Sequence, residues 1–344
     1  MTTPLLFVFL MVCSSIDSTD PPHFASGIKV GEATPTTAIV WVRLTAKPQI
    51  DFRRLPILTE GLPTNERSRI EMPADIAPGK AGHVRLKYWI ASDESTAIQT
   101  GWVEVSAATD FTHQFELSNL KPDRRYRIQL ATRQSPTHSQ TSTIDGSFRT
   151  APPANQSTPV KFIVSTCQAV RSIDSGADGH VAYQQMLQAD PHFFVHTGDI
   201  VYYDKVPLAK TTGQARAKWH LMFAYGHQRR FHRAVGSYFM KDDHDTLKND
   251  CWPGQKYGQL TFQQGLDIFR EQVCMGESTY RTVRWGKGLQ LWFPEVRDFR
   301  SANDAPDGPE KTIWGARQKA WLRRTLRESD ATFKMIVSPT AIVG

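Results

Sequence analysis

Apolar and polar positions alternate with period two through the first half of the chain, the pattern of half-buried strands. After Phe24 the alternation runs through a Gly/Pro turn into Ala38–Leu44 (AIVWVRL); HVRLKYWIAS (83–92) and GWVEVSA (101–107) predict two further strands. HQFELSNLKPDRRYRIQLAT (113–132) predicts a strand, a turn at Lys121–Pro122–Asp123 and another strand, and GSFRTAP (146–152) closes the set. Short strands at this spacing predict a small β-sandwich over residues 24–150. Residues 51–82 are rich in turn formers and show no usable period.

APPANQSTP (151–159) reads as a linker, being Pro and small polar residues without period. Beyond it the pattern changes. VKFIVSTC (160–167) and PHFFVHTGD (191–199) are apolar runs of strand length, and SYFMKDDHD (237–245) is a strand ending in charges. Between them GHVAYQQMLQA (179–189) and residues 214–234 are helical in composition. LTFQQGLDIFREQVC (260–274) places Phe262, Leu266, Phe269 and Val273 on one helical face. A hairpin turning at Gly286–Gly288, a helix over ARQKAWLRRTLRES (316–329) and a last strand in TFKMIVSP (332–339) follow. Strands alternating with helices predict a layered α/β domain over residues 160–344.

The 344 residues, 40% hydrophobic and 22% charged, suffice for two domains with packed cores. The net charge of +7 is modest, and the one basic stretch, KPDRRYR (121–127), falls in a strand region where a solvated face explains it, so no nucleic-acid-binding signal emerges. Leu5–Val12 is long enough for a signal-peptide core and too short for a bilayer span, so residues 1–20 are expected to direct export to the periplasm, cell surface or medium. Cys13, Cys167, Cys251 and Cys274 make no disulfide framework. The sequence leaves the oligomeric state open.

Three predicted strands end in groups that bind metals: Cys167–Gln168, then Asp199 with Tyr202, then Asp242–Asp243–His244–Asp245. In an open α/β sheet the carboxyl ends of strands form one crevice, so these groups are expected to meet. Thiolate, phenolate and carboxylate suit a trivalent iron, and the remaining oxygens suit Ca²⁺ or Mg²⁺. Taken singly, each has a plainer reading: a buried thiol, a turn aspartate, packing tyrosines, a helix cap. His180, His192, His196, His220, His227 and His232 are read as structural.

FIVSTCQ, HTGDIVYYD, MKDDHD and EVRDFRS, in that order, resemble the motifs of the alkaline phosphatase D (PhoD-like) family of metallophosphoesterases. The stretch after Phe24 resembles that family's N-terminal β-module, and Leu120-x-Pro122 with Tyr126-x-Ile128 resembles a fibronectin type III or purple-acid-phosphatase N-terminal module. The resemblance implies a hydrolase of phosphate mono- or diesters carrying Fe³⁺ and Ca²⁺. It implies Cys167 and Tyr202 as iron ligands, Asp199 as the bridge between metals, and Asp243 as a ligand where broader relatives have Asn. It sets His244 beside the leaving group and Arg297 and Arg300 on the phosphate oxygens. Asn249 and Asp250 follow as secondary contacts, with Asp204 orienting the tyrosine or holding a water. The family pattern continues with an Asp and a Gly-Asp-x-His that this sequence lacks up to Gly344, so the C-terminal part of the α/β domain is expected to be missing. A catalytically impaired remnant and a lipid-directed phosphodiesterase of phospholipase D type stand as alternatives.

Overall fold

The computed structural model describes residues 20–52, 55, 69–170, 175–176 and 178–341. The expected signal segment, Asp20 excepted, lies outside the described residues, as does much of the turn-rich 51–82 region.

Two sheets face each other in the N-terminal half. One holds Asp93–Gln99, Gly82–Ile90, Arg125–Arg133 and Ser142–Arg149 in that order, with Val103–Val105 also on Gly82–Ile90. The other holds Thr112–Leu117, Ala38–Arg43 and Ile28–Gly31, all antiparallel. Alternate residues point inward and close the core: Val30, Val40 and Val42 against Leu86, Ile128, Leu130 and Phe148. The strand Asp93–Gln99 has no counterpart in the sequence reading. Almost all of its side chains are exposed, so no apolar alternation marks it.

The second sheet does not stop at the sandwich. Gly31 pairs in parallel with Ser237, and the ladder continues through Ser237–Phe239 and Phe193–His196 to Phe162–Ser165. Six strands thus run from the sandwich into the α/β layers. A Cβ at Gly31 would sit 2.6 Å from the Cys274 carbonyl and sulfur and 2.8 Å from the Ser237 carbonyl, so only glycine lets the strands join there. Tyr238 reinforces the seam by donating its hydroxyl to the Ala33 carbonyl, and Arg281 pairs with Glu32 across it.

Phe193–His196 and Ser237–Phe239 are buried on both faces, as their continuous apolar runs require, while the edge strand Phe162–Ser165 stays partly exposed. On one face Phe193, Val195 and Tyr238 meet Val283, Trp285, Leu291 and Phe293 of a three-stranded sheet made of Arg281–Trp285, Leu289–Phe293 and Phe333–Ile336. Gly286–Gly288 turns its hairpin, as the sequence predicts. On the other face Phe239 packs against helices Thr212–Ala224 and Phe262–Gln272 through Trp219, Phe223, Phe269 and Val273, and Phe194 against Tyr183 and Phe231. The helix Phe262–Gln272 begins where Thr261 and Gln264 cap each other reciprocally. The expected helix over 214–234 is two, Thr212–Ala224 and Gly226–His232, broken where Tyr225 adopts ψ 139°.

Candidate metal centre

The parallel register sets His196 beside Ser165 on one side and Phe239 on the other. The three strands therefore end level, and the residues after them share one edge. Cys167 and Asp199 adopt left-handed backbone (φ 52° and 54°), and Gly198 lies at φ 108°. Two backbone bonds hold these turns together: Cys167 N–H to the Gly198 carbonyl (3.2 Å) and Gln168 N–H to the Asp199 carbonyl (2.9 Å). Non-glycine residues in this region cost about 1–3 kcal/mol each and persist where their surroundings over-determine them, as they often do at functional sites. A Cβ on Gly198 would meet the Asp242 nitrogen at 2.6 Å, so glycine also permits the second and third loops to touch.

Asp245 locks that contact. Wholly buried, its carboxylate accepts from the backbone N–H groups of Asp199 (2.5 Å), Ile200 (2.7 Å), Val201 (3.0 Å) and Asp242 (3.0 Å). Burial and the nearby Asp199 charge push its pKa well above the usual carboxylate value, and the N–H donors oppose that push. The aspartate cluster thus divides: Asp245 turns inward to hold the backbone, leaving Asp243 and His244 to face the crevice. Composition could not sort the members of Asp-Asp-His-Asp in this way.

Around Asp199 the side chains converge. The Tyr202 hydroxyl (3.1 Å) and the Cys167 thiol (3.5 Å) both donate to its Oδ2. One ligand atom each from Asp199, Asp243 and His244 also lie within 4.8 Å of one another. Asp199 Oδ1 is buried and has no hydrogen-bond partner. Burial, then the Asp243 and Asp242 carboxylates, raise the Asp199 pKa, with His244 opposing. Burial first, then the Asp199 charge, raises Tyr202, and burial raises Cys167. Without a counter-charge the protein holds phenol and thiol protonated. A bound cation would reverse both shifts, since metals take ligands in their deprotonated forms. An orphaned carboxylate oxygen amid thiol, phenol, carboxylate and imidazole fits a metal.

His244 Nδ1 bonds Asp204 Oδ1 at 2.6 Å, leaving Nε2 as its free nitrogen, and its ring packs on Tyr202 at 4.5 Å between centroids. Burial works against charging His244, but the Asp204 bond and the Asp199 and Asp243 charges outweigh it and raise its pKa. The second Asp204 oxygen accepts from the Asn249 backbone N–H (2.9 Å). Asp204 therefore bonds the histidine, where the sequence reading had it orienting the tyrosine or holding a water. Asn249 turns its side chain to Asp250 (3.5 Å), whose own N–H donates to Asp243 Oδ2 (2.5 Å).

The two arginines part. Arg297 is buried, with Nε on Asp242 Oδ1 (2.6 Å), Nη2 3.3 Å from Thr340 Oγ1, and Asp243 and Asp250 within 3.8 and 3.6 Å. Its Nη1 is buried without a hydrogen-bond partner. This is no surface salt bridge. Arg300 is instead bonded to Asn303 Oδ1 (2.6 Å) and lines a cavity of about 590 Å³ with Lys311, Trp314, Lys319 and Thr340. Glu295, buried, accepts from Lys241 Nζ (2.8 Å) and the Arg297 N–H (2.7 Å), fixing the loop that carries the arginine.

A β-sandwich joined to layered α/β strands that end on an acid- and histidine-rich centre defines the protein by architecture. Its sequence places it more closely: the family model for PhoD-like phosphatases matches residues 162–343, and that for their N-terminal domain residues 12–152. The chain belongs to the PhoD-like phosphatase family. The solved structure of PhoD superposes over 93% of this chain and 62% of its own, with a TM-score of 0.70 at 17% identity. Purple acid phosphatase PPD1 from yellow lupin (Lupinus luteus) seeds superposes over 93% and 51%, with a TM-score of 0.57 at 12% identity. This chain thus spans less than two thirds of the length of either. No curated protein matches its sequence significantly. Among the described residues no helix is long and apolar enough to cross a membrane.

Proposed function

We propose that the chain hydrolyses phosphate esters at the Asp199 centre. The observation carrying this is that Cys167 and Tyr202 both bond one oxygen of Asp199, that Asp243 and His244 each bring a polar atom within 4.8 Å of it, and that the other Asp199 oxygen is buried without a partner. Cys167, Tyr202 and Asp199 would hold an Fe³⁺, and Asp199 with Asp243 would hold a Ca²⁺. Such a pair supplies a hydroxide-like nucleophile at neutral pH and neutralises phosphate charge.

The protein groups divide the remaining work. His244, kept charged by Asp204, donates a proton to the departing alkoxide. Arg297 offers its Nη1–H, which makes no hydrogen bond though Asp250 lies 3.6 Å away, to a phosphate oxygen, with its plane fixed by Asp242 and Thr340. Arg300 faces the cavity next to Thr340, where it meets the organic part of the ester. Asn249 and Asp250 support Asp204 and Asp243 from behind. Export is part of the same reading and rests on the Leu5–Val12 run; finding the chain outside the cytoplasm with its first residues removed would support it.

The test is turnover of an aryl phosphate monoester and the matching diester by purified protein, before and after chelation. Activity that falls on chelation and returns with iron and calcium is expected, and the monoester-to-diester ratio sets the substrate class. Turnover indifferent to chelation would sink the proposal.

A further inference from the structure

Tyr202 also lines a smaller cavity of about 140 Å³, together with Gln168, Lys205 and Lys218. Lys218, on helix Thr212–Ala224, is 2% exposed, and its ammonium reaches the Lys205 carbonyl at 2.9 Å. Gln168, 5% exposed, accepts from the Tyr183 hydroxyl through Oε1 (2.6 Å), which leaves its Nε2 buried with no hydrogen-bond partner. The exposed Lys205 borders it, and Val206 and Met222 supply apolar wall. No carboxylate lines the space among the described residues. A buried cation and an orphaned amide N–H on one small cavity are costly for folding alone, because buried polar groups are normally paired.

We propose that Lys218 and Gln168 form a binding site for a small tetrahedral oxyanion of the phosphate class, separate from the Asp199 centre. The cavity is far larger than the roughly 10–15 Å³ that one water needs, so it has room for such an anion. The anion would give Lys218 a counter-charge and take the free Gln168 N–H. Burial lowers the Lys218 pKa to about 7, with Asp204 opposing, as expected for an ammonium awaiting such a partner. The predicted occupant is therefore free phosphate, the anion that the proposed reaction releases, although this site is defined without reference to catalysis.

The test is calorimetric titration of inorganic phosphate into the full chain, with thermal melting in parallel, for the wild type, Lys218→Met, Gln168→Glu and Asp199→Asn. Phosphate should raise the wild-type melting temperature. Lys218→Met should melt higher than the wild type without phosphate, having lost a buried charge, and should bind phosphate at least about tenfold more weakly. Gln168→Glu keeps the Tyr183 bond but replaces the free donor with an acceptor, and should lose binding to the same extent. Asp199→Asn should keep the Lys218-dependent response even if it removes turnover, which separates this site from the metal centre. The inference is overturned if phosphate does not shift the wild type, if Lys218→Met retains the response, or if Lys218→Met destabilises the fold. A phenyl phosphate that binds this site as well as phosphate would overturn the assignment to the free anion.

Discussion

Replacing Asp245 by Asn changes one oxygen into an NH₂ group without altering shape. The structure leaves no benign orientation for it. Oδ1 accepts from Ile200 and Val201, and Oδ2 from Asp199 and Asp242, so whichever position takes the NH₂ faces two backbone donors. Two charge-assisted bonds are lost and two buried N–H groups are orphaned. At about 1.5–3 kcal/mol for each bond to a charged acceptor, the loss is about 3–6 kcal/mol. That is a large fraction of the 5–15 kcal/mol typical of a whole domain. Because Asp199 stays left-handed only while this clamp holds it, metal affinity should fall along with stability. Urea unfolding of Asp245→Asn against the wild type measures the first, and equilibrium dialysis with iron the second. A loss below about 1 kcal/mol, with metal affinity unchanged, would show that the four short contacts do not hold the two loops together.

Acid should destabilise the protein through two buried histidines. Burial holds the pKa of His196 down to about 3 and that of His220 to about 4, against an unfolded value near 6.5. Below pH 6.5 the unfolded chain therefore binds protons that the folded chain refuses, and stability falls with pH by about 1.4 kcal/mol per unit per group. The two histidines should together cost on the order of a few kcal/mol between pH 6.5 and 4.5, less what the His220–Asp110 contact and the raised Asp199 and Asp245 return as they gain protons; a urea midpoint that rises steadily across that window would contradict this. Tyr202→Phe removes a direct ligand atom while keeping the ring on His244, so iron affinity should drop by more than the about 10–100-fold typical of losing a ligand's outer partner, with melting little changed. Iron binding unaffected by that change would remove Tyr202 from the ligand set.

Much of this was legible in the sequence because it rests on local period. Alternation marks the sandwich strands that bury one face, such as Gly82–Ile90 and Arg125–Arg133, and it fails for Asp93–Gln99, which buries almost nothing. The helix Phe262–Gln272 shows its apolar face openly. Thr212–Ala224 does not, because it is buried nearly all round, with Lys218 and His220 inside. Spacing put Cys167, Asp199 and Asp243 at strand ends, but convergence needs level strands, which is a property of sheet order and register. The Gly31–Ser237 seam was invisible for the same reason: one pair of residues joins two stretches separated by some two hundred positions. Charge alone could not tell Arg297, packed under Asp242, from Arg300 on the cavity wall, nor Asp245, which holds backbone, from Asp243, which faces the crevice.

The sharing of Asp199 between two cations is tested most directly by metal analysis of the purified wild type and Asp199→Asn, with aryl phosphate turnover measured on the same samples. The account predicts two metal ions per wild-type chain, iron among them, and the loss of both metal and turnover in a variant that still folds. Asp199→Asn protein that keeps its metals, or hydrolyses phosphate at the wild-type rate, would contradict it.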